Sequence, residues 1–322
     1  MWKTSNKAYC KIMDIPVLLI TYNRKDNVLK VLECLKKAGV SILYIACDGA
    51  KENAQDKEKV MKTREAIQKA VSWKCNVQYR FSEKNQGCKY GPINAIDWVF
   101  EKEEYAIILE DDIIPNLSFF PFCEELLVRY KDREDIMMVS GCNIMSRTES
   151  VKESYFFEPL ATTWGWATWR RAWNKYDLAM QGWEEMKKGK VLEKLFLQDT
   201  AFSLKRDFEN VAVNDTDIWD YQWQYTMIKN DGYGIVPKYC MVQNIGFDDK
   251  DATHTDGAPF KYEDFQMPFP LVHPLKTDGN REYEVYVEKQ IYYVNYFHLF
   301  LKRIMPKRMV MIIQRIRKAR SH

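Results

Sequence analysis

Five short apolar runs, at 15–21, 41–47, 77–81, 105–109 and 136–141, are separated by four stretches of helical character. In the first of these, 26–38, Val28, Val31, Leu32 and Leu35 fall at i, i+3, i+4 and i+7, which is one face of a helix, and Gly39 stands where a C′ glycine belongs. The others run over 56–71, 92–100 and 116–130. Strand and helix in alternation across residues 15–141 predict βαβ units and an α/β fold. The expected form is Rossmann-like, a mostly parallel sheet flanked by helices. Ligands of such sheets gather beyond the carboxyl ends of the strands. Here those ends carry Thr21 and the Tyr22-Asn23-Arg24 turn, Asp48, the polar loop 82–87, and Glu110-Asp111-Asp112.

The last of these is the sharpest local signal. The stretch 105–115 reads YAIILEDDIIP: an apolar run of strand length, three consecutive acids, then a second apolar pair before Pro115. Three acids between apolar runs are costly to bury unless a cation neutralises them. A hard divalent ion with a diphosphate suits such a strand tip, because Mg²⁺ and Mn²⁺ take oxygen ligands and bind phosphates beside one or two carboxylates. The alternative is a solvated turn. No GxGxxG or GxxxxGK[ST] sequence occurs, which disfavours a dehydrogenase or a P-loop enzyme.

The 48 basic and 45 acidic residues leave a net charge of +3, too balanced for a nucleic-acid binder. Eight cysteines are scattered without a CxxC pair, which fits reduced thiols and gives no zinc-ligand spacing. Residues 1–14 are polar and lack the apolar core of a signal peptide, and no apolar run approaches the length of a membrane span. The expected compartment is the cytoplasm.

From residue 155 the texture changes. Four Trp lie within 164–173, and an aromatic stretch surrounds Trp219 and Trp223. Trp164 and Trp166 are candidates for an acceptor platform; packing in a core is the competing role, because buried aromatics dominate packing energetics. Helical segments are expected to run through Trp183 to about residue 210, followed by a helix with Thr216 or Asp217 as N-cap. Two late strands are expected at 232–237 and 239–245, and a polar loop at 246–259.

In this order the motifs resemble the GT-A fold nucleotide-sugar glycosyltransferases, most closely the inverting N-acetylglucosaminyltransferase I type and its bacterial relatives. The resemblance covers residues 15–256. It rests on the first strand with its Asn-Arg turn, the Asp48 strand end, Glu110-Asp111-Asp112 ahead of Phe119-Phe120, and Gly165-Trp166 ahead of Trp219-Asp220. The chain departs from the family around residues 94–98, where the family has a His near the uracil. The resemblance implies a metal-dependent, inverting transferase that moves a sugar from a UDP-type donor to a glycan or lipid-linked glycan in bacterial surface polysaccharide or glycoprotein assembly. It implies donor contacts from Thr21, Asn23, Arg24, Asp48, Glu110, Asp111 and His254, the last with Thr253 on a closing loop. It implies Mn²⁺ or Mg²⁺ on Asp112, and Asp220 as catalytic base, with Asp215 and Asp217 as competitors for that role. A sugar-nucleotide pyrophosphorylase is the second enzyme class, although Tyr22-Asn23-Arg24-Lys25 is not the Gly-rich loop it needs. A non-catalytic glycan-binding protein of the same fold is the third.

The expected organisation is one unit over 1–280, with a nucleotide-binding half at 15–145 and an acceptor-binding half at 146–280, then a C-terminal helical tail at 281–322. Residues 302–322 hold eight Lys/Arg and no acid, and Met309, Ile312, Ile313 and Ile316 share a helical face. That pattern suits either an anionic membrane surface, which would make the protein peripheral at the inner face of the plasma membrane, or a helix packed on the domain.

Overall fold

The structure, a computed structural model, describes residues 14–214, 216–248 and 262–296. Its first half alternates as expected: β1 (Val17–Thr21), α1 (Lys25–Ala38), β2 (Ile42–Cys47), α2 (Ala54–Ala70), β3 (Asn76–Phe81), α3 (Gly87–Phe100) and β4 (Tyr105–Glu110). The strands β3, β2, β1 and β4 lie side by side in that order, all parallel. The chain thus winds outward from β1 to β3 and then returns to the other side of β1. Between β1 and β4 the direction of winding reverses, which opens a crevice at their carboxyl ends. Val17, Leu18, Leu19, Ile107, Ile108 and Leu109 are all buried, as both faces of a parallel sheet under helices must be. Each such side chain contributes about 1.5–3 kcal/mol by leaving water.

After β4 come a short β5 (Ile113–Pro115), α4 (Phe119–Arg129), β6 (Ile136–Ser140), β7 (Tyr155–Glu158) and β8 (Trp166–Trp169). Strand β8 is inserted antiparallel between β4 and β6. The four-residue α5 (Arg170–Trp173) follows, then α6 (Trp183–Lys188), α7 (Val191–Leu195), α8 (Gln198–Val213), α9 (Asp220–Lys229), β9 (Tyr233–Pro237), β10 (Val242–Asn244) and α10 (Arg281–Gln290). The eight-stranded sheet reads β3-β2-β1-β4-β8-β6-β9-β7, and four of its seven pairings are parallel. The α/β class therefore stands, with the sheet more mixed than the first half alone foretells.

The aromatic region differs from expectation. The runs around 155 and 166 are strands of the central sheet, and their rings fill its interior. Trp166 is 1% exposed and packs against Trp219 at 5.8 Å and Trp223 at 5.6 Å between ring centroids. Gly165, just before β8, has φ +59° and lies close against the β5 and β10 side chains, where a Cβ would meet Val242 and Ile113. The helical stretch from 183 onward breaks into α6, α7 and α8, with Lys190 at φ +51°. These helices and α9 enclose a second apolar cluster around Trp183, Leu204, Phe208 and Tyr225. The expected strand at 239–245 shortens to β10, which pairs antiparallel with β5 outside the main sheet.

Helix α10 is no detached tail. Tyr283 and Val287 are buried against the main core, and Glu288 accepts the Asp199 and Thr200 amides at the start of α8 at 2.9 and 3.1 Å. Residues 302–322 and the loop carrying Thr253 and His254 lie outside the described residues. Among the described residues, no helix is long and apolar enough to cross a membrane.

Candidate functional site

The crevice between β1 and β4 opens into a cleft of about 1160 Å³ that continues across residues of the second half of the chain. Glu110 ends β4 in register with Ile20 of β1, so the turns after the two strands meet. The Tyr22 amide donates to Asp111 Oδ2 at 3.1 Å. Arg24 Nη1 donates to Asp112 Oδ2 at 2.7 Å and reaches Asp111 Oδ1 at 3.5 Å. The strand tip is therefore a cluster of three carboxylates with one guanidinium against two of them. Burial, then the charges of Asp112, Asp111 and Asp220, push the Glu110 carboxyl up to about 8, while Arg24 opposes the shift. Strand pairing of β5 with β10 brings the far side of the chain over this tip, where the Ile245 amide donates to the Asp112 carbonyl at 2.9 Å.

Asn23 and Tyr22 are held by Asp56, a buried carboxylate in the first turn of α2. Asn23 Nδ2 donates to Asp56 Oδ1 at 2.6 Å, the Tyr22 hydroxyl donates to Oδ2, and the Lys51 amide donates to Oδ2 at 2.6 Å. Burial alone would raise the Asp56 carboxyl, but these donors outweigh it and hold it below its ordinary range. Asp56 is absent from the sequence-derived site. Its signal was the Asn53-x-x-Asp56 spacing of a helix start, where the Asp56 amide donates to Asn53 Oδ1 at 2.8 Å.

Asp48 follows β2 and turns toward the start of α3. It accepts from the amides of Gly49 (2.7 Å), Gln86 (2.9 Å) and Gly87 (3.2 Å) and from Asn85 Nδ2 (2.9 Å). Its carboxyl is raised by burial, and the three backbone amides counter that rise. A second carboxylate comes to the same helix end from the second half of the chain: Asp217 accepts from the Cys88 amide at 3.1 Å and the Lys89 amide at 2.8 Å. These acceptors let α3 begin at Gly87, five residues before the expected start at Pro92. Asp217, expected as a cap for its own helix, caps α3 instead. Gly87 has φ +76°, and a Cβ there would strike the Asp217 carboxylate.

Asp220 is the first residue of α9 and lines the cleft; its charge acts on Glu110 across it. Thr21 lines the cleft while its hydroxyl donates to the Ala46 carbonyl at 2.9 Å, tying β1 to β2. Trp164 lines the cleft beside Phe247, with ring centroids 5.3 Å apart. Trp166 lies in the core, and Trp219, stacked on it, is the ring that reaches the cleft. The cleft thus gathers Thr21, Asn23, Arg24, Asp48, Glu110, Asp111, Asp112, Trp164 and Asp220 on its walls.

No protein-family model matches the chain, and no curated protein matches its sequence. Solved structures resemble it in part. A cytidylyltransferase from Leptospira borgpetersenii serovar Hardjo-bovis is 12% identical, with 63% of this chain and 72% of that one covered and a TM-score of 0.33. HddC from Yersinia pseudotuberculosis is 12% identical over 44% of this chain and 58% of that one, at 0.27. Residues 1–349 of S. aureus TarS are 13% identical over 70% and 58%, at 0.35. The chain spans less than two thirds of the latter two, and likeness at this level assigns neither activity nor ligand.

The acidic tip offers a hard cation oxygen ligands only. Among the described residues, no group of three or more His, Cys, Asp or Glu side chains is arranged to hold a metal by itself. Asp112, partly open to the cleft, fits the remaining mode, in which one carboxylate and the phosphates of a ligand share the ion. Any such ion competes with Arg24 for that carboxylate.

Proposed function

We propose that the chain is a nucleotide-sugar glycosyltransferase of the GT-A type that works with inversion at the anomeric carbon. One observation carries this reading: the three carboxylates and Arg24 at the winding reversal of the sheet face a further carboxylate, Asp220, in the same cleft. The nucleotide half would hold the donor along the β1 and β2 ends, with Thr21, Asn23 and Asp48 in its wall. Arg24 would carry positive charge to the diphosphate. Asp112 would hold a divalent cation, Mn²⁺ or Mg²⁺, which when bound supplies further positive charge to the leaving group.

Asp220 would accept the proton of an acceptor hydroxyl. The freed oxygen attacks the anomeric carbon from the side opposite the diphosphate. The bond from that carbon to the acceptor oxygen forms as the bond to the phosphate oxygen breaks, and the electron pair leaves on the nucleoside diphosphate. Trp164 and Trp219, which line the cleft, would offer ring surface to the acceptor. A glycan or lipid-linked glycan of bacterial surface polysaccharide or glycoprotein assembly is the acceptor class this reading takes from the family resemblance.

The test is a panel of nucleotide-sugars with Mn²⁺, followed by thermal shift and by release of the free nucleotide. A UDP-sugar is expected to stabilise the protein and to be slowly hydrolysed. Asp220→Asn should retain donor binding and lose transfer by two orders of magnitude or more, within the range that general bases supply. Normal turnover in that variant removes Asp220 as base. Pyrophosphate release from a nucleoside triphosphate and a sugar 1-phosphate would instead identify a pyrophosphorylase.

A further inference from the structure

The cleft does not end at Asp220. A second arm lies between the end of β7, the turn joining α7 to α8, and one face of α10. That face presents Tyr283, Glu284, Val287 and the C-cap Ile291 at helical spacing. Leu160, Phe196 and Tyr292 add apolar and aromatic wall. Within this arm stands one buried carboxyl, Glu158, the last residue of β7 and 4% exposed. The Asn280 amide donates to its Oε1 at 2.7 Å, and among the described residues this is the carboxyl's one hydrogen bond.

Burial pushes the Glu158 carboxyl up to about 8; the Asn280 amide opposes the rise and Glu284 adds to it. At neutral pH it is therefore mostly the protonated acid, with one oxygen accepting from the backbone and an O–H left to donate. Gln224, one helical turn beyond Asp220 on α9, also lines the cleft, and its buried Oε1 has no partner among the described residues. A few convergent polar groups set in apolar and aromatic walls are the ordinary make-up of a small-molecule site. A donor, an acceptor and flat apolar walls together match a pyranose, which carries hydroxyls on its rim and C–H groups on its faces.

We propose that this arm is a saccharide subsite, in which Glu158 and Gln224 hydrogen-bond the hydroxyls of a sugar unit while Phe196, Tyr292 and the α10 face cover its C–H surface. That this sugar belongs to the acceptor rests on the transferase reading; that the arm binds a sugar does not.

Titration with free mono- and disaccharides, read by the fluorescence of the cleft tryptophans, tests the subsite directly. The wild type should bind at least one of them. Glu158→Leu should weaken that binding tenfold or more, Glu158→Gln should retain it within about threefold because the amide keeps an acceptor and a donor, and Glu282→Gln, on the exposed side of α10, should leave it unchanged. If Glu158→Leu fails to fold, Ile291→Trp places bulk at the mouth of the arm, where the native side chain is 38% exposed, and should weaken binding at least fivefold. A wild type that binds no saccharide, or a Glu158→Leu or Ile291→Trp protein that binds as the wild type does, overturns the proposal. Parallel titration with nucleotide-sugars separates the two readings. Saccharide binding without donor binding removes the transferase and leaves the subsite, and donor binding without saccharide binding does the reverse.

Discussion

Arg24 stands 2.7 Å from Asp112 and 3.5 Å from Asp111, so the strand tip carries its own counter-charge. A cation arriving at Asp112 meets a carboxylate already paired, and its net gain is the difference between two partners. Arg24→Gln should expose that difference. Without the guanidinium, the neighbouring Asp111 and Asp112 carboxylates lose their counter-charge, and the loss is about 1–3 kcal/mol for a partly exposed pair of this kind, equivalent to a fall of roughly 2–10 °C in Tm. Mn²⁺ should then raise the Tm of Arg24→Gln by more than it raises that of the wild type. If Mn²⁺ moves neither protein, with or without UDP, Asp112 holds no metal. Glu158 gives a residue-scale prediction of another kind. Its carboxyl is higher folded, at about 8, than its ordinary 4.5, so the folded chain binds the proton more tightly than the unfolded one. The stability this contributes is full below pH 4.5 and is lost as pH rises through about 8. Glu158→Gln should therefore flatten part of the decline in Tm between pH 5 and pH 8, and parallel curves for the two proteins would show that Glu158 titrates normally.

At the scale of elements, α3 connects the two halves of the cleft. Its first amides are taken by Asp48 from the end of β2 and by Asp217 from the segment leading into α9. The same Asp217 therefore fixes the segment that carries Asp220. Removing it with Asp217→Ala should cost about 1 kcal/mol, the usual worth of an N-terminal capping carboxylate, and lower Tm by roughly 2–4 °C. Asp217→Asn should recover part of the loss, and an unchanged melting curve in Asp217→Ala would mean the contact carries no stability. This contact also shows where sequence reading stops. Asp217 has the spacing of a local cap, but its partners lie 128 and 129 positions away, and local pattern holds no record of them. The elements that could be read in advance are the strands β1 to β4, β6 and β9, which are apolar runs of five or six residues, and the helices α1 to α4 that alternate with the first of them. The strands β7 and β8 escaped because YFFE and WATW are only four residues long and built largely of aromatic rings, so neither shows alternation nor an aliphatic run long enough to mark a buried strand.

At the scale of the whole molecule, the acidic tip was legible because YAIILEDD sets charges directly after a buried run. YFFE repeats that arrangement on a smaller scale, with Glu158 at its end, but its significance depends on α10 folding back across the cleft. The boundary expected at residue 281 would have placed α10 outside the domain. Instead α10 closes one side of the cleft, buries Tyr283 and Val287 at 3% and 9% exposure, and supplies Glu288 to the first amides of α8. A chain ending at residue 280 loses all of these together. Two buried side chains at about 1.5–3 kcal/mol each and one cap at about 1 kcal/mol make roughly 4–7 kcal/mol, a large fraction of the 5–15 kcal/mol by which folded chains are stable. Such a chain should melt at least 10 °C lower, or fail to accumulate, whereas Glu288→Gln in the full chain should lose only a degree or a few, because a neutral amide oxygen still accepts from the α8 amides. A chain ending at 280 that melts with the full protein would show that α10 is an appendage, and the arm of the cleft that it walls would go with it.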